Sequence, residues 1–169
     1  GLVPLAMGLF GLGEIFYNVE QREATGSILQ VPKNLLPTRD DWKRSFGAIL
    51  RGSGLGFAVG VLPGGMPAVA SLMSYAVEKR VSKHPERFGQ GAVEGVAGPE
   101  TANNAATAGG FVPLLTLGIP TNSVLALLLA ALMLHGVTPG PLLLLKWPQV
   151  FWGVIASMYI GNLMLLVLN

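Results

Sequence analysis

The sequence predicts an all-α integral membrane protein whose transmembrane helices include one or two broken or re-entrant helical hairpins. Apolar residues make up 51% of the chain and charged residues only 12%. The charges are also unevenly placed, because residues 101–145 and residues 147–169 carry none. About 20 apolar residues in a helix cross the hydrocarbon core of a bilayer. Residues 147–169 are therefore predicted to form one transmembrane helix.

Composition excludes several classes of function. Eleven Lys and Arg against nine Asp and Glu leave a net charge of +2, and the basic residues do not alternate with aromatic ones, so no nucleic-acid surface is predicted. The absence of cysteine excludes disulfides, thiolate metal sites and thiol nucleophiles. The sequence has no zinc-protease, serine-hydrolase or P-loop motif, and His84 and His135 lack metal-ligand spacing. We expect no enzyme activity, no cofactor and no bound metal beyond a transported Na⁺.

The two ends of the sequence suggest a piece of a longer membrane domain. The chain begins at Gly1 without methionine, is apolar at once, and ends within another apolar segment. We expect residues 1–17 to be the end of a transmembrane segment, with Glu14 at the membrane surface.

Nearly all charges lie in two polar islands, residues 18–44 and 78–94. Lys and Arg concentrate on the cytoplasmic side of membrane proteins, so both islands are predicted to be cytoplasmic. Residues 45–77 between them must then enter the membrane and return. Prolines and glycines interrupt this segment at 62–67, which favours a re-entrant helical hairpin with its tip near Gly64. A single proline-kinked span, with the islands on opposite sides, is the alternative.

Local signals within these segments predict a helix start and two packing faces. Thr38 precedes two acidic residues and is predicted to cap a helix. Small residues at every fourth position indicate faces for close helix packing. One such series is Gly52, Gly56, Gly60 and Gly64, and the other is Gly153, Ser157 and Gly161.

A second interruption lies within residues 95–134. The residues from Gly118 to Ser123 break this apolar segment before a Leu- and Ala-rich run. Thr121 or Ser123 is predicted to cap the helix that follows. Residues 95–134 form either a second hairpin or one broken span, and a Pro- and Gly-rich connector follows over residues 135–148.

Two interrupted apolar segments in one chain indicate a transporter binding site. A half-helix that begins within the membrane directs unpaired N–H groups and the positive end of its dipole at its surroundings, which stabilises a carboxylate. Carbonyl groups at half-helix ends can instead hold Na⁺. The predicted substrate-binding residues lie in the two breaks and are Gly64, Gly65, Pro120, Thr121, Asn122 and Ser123.

A polar cluster near the second island is predicted to couple transport to a cation. Glu100, Asn103 and Asn104 share one face if this segment is helical, and polar groups inside a membrane usually face a cavity. The coupling ion would be Na⁺ or H⁺. Alternatively, Glu100 lies at the membrane surface and the two asparagines join helices. Arg51, at the mouth of the hairpin, is expected to reach the membrane interface.

Long ordered segments of the chain resemble the large permease subunit of the tripartite tricarboxylate transporters, the TctA family. The resemblance is carried by residues 61–67, 75–89, 94–106, 111–120 and 135–141. It covers the front of the second half of a family permease. It implies a multi-pass protein of the bacterial inner membrane, driven by a cation gradient. The implied partners are a periplasmic solute-binding protein, a small membrane subunit, the remainder of the permease chain, the lipid bilayer and a carboxylate substrate.

The chain departs from the family pattern at both predicted breaks. Met66 stands where the family often has a small residue, and Thr121, Asn122 and Ser123 stand where Gly-Ser or Gly-Ala often follows Gly-Ile-Pro. Two other functions remain open, a non-transporting membrane scaffold built on the glycine faces and a channel.

Overall fold

The computed structural model describes residues 37–168. This part of the chain is helical and contains no β-strand, which confirms the all-α prediction for these residues. The predicted transmembrane segment 1–17 and residues 18–36 of the first island lie outside the described residues. The described helices are α1 (Arg39–Val61), α2 (Pro67–Val81), a 3₁₀ turn (Pro85–Arg87), α3 (Glu94–Leu117), α4 (Ser123–Leu134), α5 (Leu143–Lys146) and α6 (Pro148–Leu168).

Helix α1 begins at the predicted cap, Thr38. The Thr38 hydroxyl accepts a hydrogen bond from the Asp41 N–H at 3.2 Å, and the Asp41 carboxylate accepts one from the Thr38 N–H at 2.9 Å. This reciprocal arrangement satisfies two backbone donors that a helix start otherwise leaves unpaired. Because of the cap, α1 begins inside the polar island predicted for residues 18–44.

Helices α1 and α3 pack in parallel with their backbones in contact. A β-carbon on Gly52, Gly56 or Gly60 would overlap the carbonyl oxygen of Gly98, Ala102 or Ala106, respectively. Each glycine meets the residue 46 positions later, so one constant register joins the two helices. Gly64, the fourth member of the predicted glycine face, is instead exposed at the tip after α1.

Helix α2 runs antiparallel to both neighbours and also presents small residues. Ala70, Ser74 and Glu78 are its buried residues and recur at every fourth position. A β-carbon on Gly98 would lie 2.7 Å from Glu78 Cγ and 3.1 Å from Ser74 Oγ. The chain therefore folds back over residues 39–81 as a helical hairpin and not as a single kinked helix. Its placement in a membrane stays a prediction.

The three packed helices bury small residues and expose large apolar ones. The core between them contains Ala70, Ala102 and Ala106, while Phe46 and Leu72 are 60% and 73% exposed. A water-soluble domain typically buries its leucines and phenylalanines. The reverse arrangement is typical of helices that pack through small residues and present large apolar ones to lipid or to further helices.

Two bidentate ion pairs join α1 to its neighbours, near the start of α3 and the end of α2. Arg44 of α1 donates to Glu94 of α3 at 2.9 and 3.0 Å. Arg51 donates to Glu78 of α2 at 2.8 and 2.6 Å, and the Glu78 side chain is only 2% exposed. Arg51 thus neutralises a buried carboxylate, whereas the sequence suggested only that it reaches the interface.

The second half of the described chain forms a separate apolar cluster around the end of α3. Leu115, Val137 and Leu143 are buried together. Among the described helices, the segment Pro148–Leu166 within α6 is the one long and apolar enough to cross a membrane. A β-carbon on Gly153 or Gly161 would meet nothing within 4 Å, so the second predicted packing face has no partner among residues 37–168.

Adding one methyl group to the α1–α3 contact tests the packing. Gly56→Ala places a β-carbon against the Ala102 carbonyl, whereas Gly54→Ala places one in open space. Overpacking typically costs about 1–3 kcal/mol, while alanine in an exposed helix position is favoured over glycine by up to about 1 kcal/mol. We expect Gly56→Ala to lower the Tm of the full-length protein in detergent and Gly54→Ala to leave it unchanged or raise it. Equal Tm values would contradict the close contact.

Acidification should weaken the Arg44–Glu94 pair. The hydrogen bond from Arg44 holds the pKa of Glu94 below its ordinary value. A carboxylate with a depressed folded-state pKa stabilises the protein above its unfolded value, about 4.3, and loses that contribution as pH falls through the folded pKa. The Tm difference between wild type and Glu94→Gln, measured from pH 7 to pH 3.5, should therefore be largest at neutral pH and shrink at the acidic end. A pH-independent difference would show that the charge of Glu94 does not contribute.

Candidate functional site

The two predicted breaks meet in space. The Gly64 N–H, between α1 and α2, donates a hydrogen bond to the Thr121 carbonyl, between α3 and α4, at 2.9 Å. The parallel register of α1 and α3 places the tip after α1 beside Gly110 of α3, and the chain returns to this level at Thr121 after α3 has ended. The structure thus joins two of the sequence-predicted site residues directly. We call the region around this bond, residues 62–67 and 118–123, the break junction.

The first break is a tight turn built around two glycines. Gly64 has φ +80°, a conformation that favours glycine. Gly65 is buried, its N–H donates to the Leu62 carbonyl at 2.8 Å, and a β-carbon on it would overlap the Val59 carbonyl. Any side chain at residue 65 would therefore distort the turn. Gly65 contributes to the site only through the conformation and the atoms of its backbone.

The second break turns the chain back along α3. Gly118, with φ +71°, ends α3, and a β-carbon on Gly110 would lie 2.7 Å from both Thr121 Oγ1 and Leu125 Cδ1. In a continuous helix Leu125 would stand about 22 Å beyond Gly110. Helix α4 is therefore not a collinear continuation of α3. The intervening Pro120 is half-buried.

Asn122 caps α4. Its Oδ1 accepts a hydrogen bond from the Leu125 N–H at 3.0 Å, and its backbone is extended, as a capping residue requires. The prediction of Thr121 or Ser123 as the cap is wrong, because Asn122 holds the capping conformation. Capping occupies Asn122 Oδ1 and leaves the Nδ2 donors for another partner. Ser123, the first residue of α4, is exposed.

Thr121 places an unpaired hydroxyl in the break junction. The residue is 3% exposed, and its Oγ1 has no hydrogen-bond partner among the described residues. A buried polar atom without a partner costs on the order of 1–3 kcal/mol. The position is therefore suited to a ligand atom, an ion or a water that completes the hydroxyl's bonding.

A cavity of about 350 Å³ adjoins the break junction. It is lined by the first residue of α2, Pro67, and by the cap and first turn of α4, including Asn122 and Val124. Both helices thus begin beside one space, whose wall is almost entirely apolar, and the positive ends of their dipoles are the feature there that favours an anion. Thr107, on the α3 side of the cavity, was missed by the sequence reasoning. Thr107 lies one turn after Asn103 on the same helical face, and this spacing could have identified it as a further polar residue of the site.

The predicted cation-coupling residues do not form one cluster. Asn103 Nδ2 donates to Ser71 Oγ of α2 at 3.3 Å, so it joins two helices. Asn104 is exposed and donates to the Glu100 carbonyl of its own helix at 2.9 Å, and Glu100 is also exposed. No group of three or more His, Asp or Glu within residues 37–168 could hold a metal ion.

Sequence comparison relates the chain to a transporter family along its whole length. A family profile described as "Tripartite tricarboxylate transporter TctA family" matches residues 1–169. The chain is 51% identical over 167 residues to an uncharacterized 52.8 kDa protein in the TAR-I ttuC' 3' region of Agrobacterium vitis, and this match covers 99% of the chain and 33% of that protein. It is 59% identical over 114 residues to a protein in the TAR-II ttuC' 3' region of the same organism, which covers 68% of the chain and 47% of that protein.

The chain therefore spans between a third and half of the length of these two relatives. No solved structure matches it.

Substitutions at Asn122 should separate capping from any further role. Asn122→Ala removes the cap, a loss of typically about 1 kcal/mol, whereas Asn122→Ser and Asn122→Asp keep a capping oxygen. We expect a lower Tm for the alanine variant of the full-length protein and near wild-type values for the other two. Equal destabilisation by all three would show that capping is not what Asn122 Oδ1 contributes.

Proposed function

Because the chain belongs to the tripartite tricarboxylate transporter TctA family, a family of membrane transporters and not of enzymes, we propose that it forms part of a permease subunit for tricarboxylates or related carboxylates. The permease works as a secondary transporter, driven by a gradient of Na⁺ or H⁺. It lies as a multi-pass protein in the bacterial inner membrane. It acts with a periplasmic solute-binding protein, a small membrane subunit and the remainder of its own chain.

The meeting of the two breaks carries this proposal. The hydrogen bond between Gly64 and Thr121 places two interrupted helices together, and the N-termini of α2 and α4 border one cavity. Helix starts of this kind stabilise a carboxylate without a buried cationic side chain. Paired broken helices are a recurring basis of substrate sites in secondary transporters.

The substrate contacts we propose come mainly from the start of α4. Asn122 caps the helix through Oδ1, so the N–H groups of Nδ2 can bind a ligand. Ser123 supplies a hydroxyl and a backbone N–H in the first turn of α4. Each can donate to a carboxylate oxygen. Gly64, Gly65 and Pro120 shape the backbone around the ligand, and Thr121 holds the two breaks together through its carbonyl.

For the coupling ion we propose oxygen atoms near the same junction. Thr121 Oγ1 is buried and unpaired within the described chain, and hydroxyl, carbonyl and amide oxygens suit a hard cation such as Na⁺. Asn103 lies one turn before Thr107 of the cavity wall. Glu100 and Asn104 are exposed, so we propose that their oxygen atoms meet the ion at the entrance to such a site.

We propose that the hairpin formed by α1 and α2 is re-entrant, with the break junction within the membrane. Its small-residue core and exposed Phe46 and Leu72 suit lipid or further permease helices as neighbours. Both open ends of the hairpin carry basic residues, as expected for a shared cytoplasmic side. The tip then lies where irregular backbone is tolerated, against protein or a cavity.

Uptake assays on the complete system test the site. The full-length permease is expressed with its partner subunits, and accumulation of radiolabelled citrate and competing carboxylates is measured. Asn122→Asp keeps the cap but places a negative charge in the cavity, which repels a carboxylate, so we expect uptake to fall at least about tenfold. Asn122→Ser keeps the cap but removes the amide donor, and we expect a higher KM.

Thr116→Val is the matched control, because its hydroxyl bonds to its own helix at Val112 away from the junction. Wild-type kinetics in both Asn122 variants, at normal protein levels, would refute the substrate site. Flux that persists without an Na⁺ or H⁺ gradient would indicate a channel. Altered assembly with unchanged flux would indicate a scaffold role for these residues.

A further inference from the structure

A second cavity, of about 640 Å³, lies at the opposite end of the hairpin from the break junction. It opens where α1 begins, α2 ends and α3 begins. Helix α1 contributes Lys43, Arg44 and Arg51, and the segment after α2 contributes Lys83 and Arg87. We call this cavity the basic cleft. It is separate from the junction, and the lipid source considered below rests on the proposed placement of the chain in a membrane.

The charges around the basic cleft favour an anion. Five Lys and Arg side chains line it against three carboxylates, those of Asp40, Glu78 and Glu94. Glu78 and Glu94 are each held by an arginine in a bidentate pair. The remaining cations, Lys43, Lys83 and Arg87, form no ion pair within residues 37–168. A space bordered by one excess sign of charge attracts counter-ions.

The two ion pairs give the cleft fixed walls. Each guanidinium uses two of its five N–H donors on its carboxylate, so further donors stay available to a ligand. Glu78 is anchored by its burial against α3, where Gly98 lets it approach closely. Arg51 therefore has a defined position although 47% of its side chain is exposed.

We propose that the basic cleft binds a phosphate-bearing anion, with Lys83 and Arg87 as direct ligands and Arg44 and Arg51 as its fixed walls. Arginine and lysine are the residues that most often bind phosphate, through donors and charge. The cleft adjoins helices that pack through small residues and expose large apolar ones, so the headgroup of an acidic phospholipid can reach it. Basic pockets beside membrane helices commonly hold such headgroups. Free phosphate is the other source of the same chemistry.

The chain offers a closely matched pair of variants to test this site. Lys83→Gln with Arg87→Gln removes two cations from the cleft. Lys79→Gln with Arg80→Gln removes two cations from the last turn of α2, where both residues are exposed and neither lines the cleft. Both double substitutions remove two positive charges, and the two pairs of residues lie close together in the sequence.

Binding is measured on the full-length permease in neutral detergent, as the change in Tm on titration with phosphatidylglycerol, with phosphatidylcholine as the neutral lipid, and separately with inorganic phosphate. Lys83 and Arg87 would contact the ligand directly through charge-assisted hydrogen bonds, so the cleft variant should bind roughly 30-fold more weakly than wild type. The control variant removes no contact in the cleft and should bind like wild type.

The two ligand arms distinguish the sources. Stabilisation by phosphatidylglycerol alone identifies a lipid headgroup, and stabilisation by phosphate alone identifies a soluble anion. Either result supports the proposal when it is lost in the cleft variant and kept in the control. No stabilisation by either ligand, or equal loss in both variants, overturns it. Both variants should retain the wild-type Tm without ligand, which separates loss of binding from loss of folding.

Discussion

The carbonyl oxygens of Gly98, Ala102 and Ala106 lie where β-carbons on α1 would have to stand. This contact fixes the register of α1 against α3, because a shift by one residue would bring a side chain into the interface. The register then determines what meets at each end. At one end Arg44 reaches Glu94, and at the other the tip after α1 reaches the break after α3. Both the ion pairs and the junction depend on backbones that approach without intervening side chains.

The same close packing explains why a carboxylate is buried at the polar end. Glu78 continues the small-residue face of α2 after Ala70 and Ser74, and its contact with Gly98 leaves its side chain 2% exposed. A buried unpaired carboxylate is costly in free energy. Arg51 of α1 supplies the charged partner that Glu78 requires. The pair therefore couples the hairpin's two arms where no large apolar side chain is available. Loss of one partner would leave the other charge without compensation.

The sequence predicted the helical class, the break positions, the Thr38 cap and the small-residue face of α1, because each depends on local residue types. It did not predict the partner of that face, since α3 shows its small residues among polar ones such as Asn103. It misassigned the cap of α4, because Thr121, Asn122 and Ser123 are all good capping residues and only the backbone conformation distinguishes them. The Arg51–Glu78 pair could not be predicted from the sequence, because the two residues are 27 positions apart and meet only once the two helices have packed.

The junction divides its residues into those fixed by structure and those able to vary. A side chain at residue 65 would overlap the Val59 carbonyl, and Asn122 is held by its bond to Leu125. Substitution of Gly65 would therefore impair any function of the turn, whichever ligand it meets, and gives no information on binding. Val124 and Leu128 line the cavity without a side-chain hydrogen bond to lose. Substitutions at these two positions should therefore change the size of the cavity while the backbone at the helix starts stays unchanged.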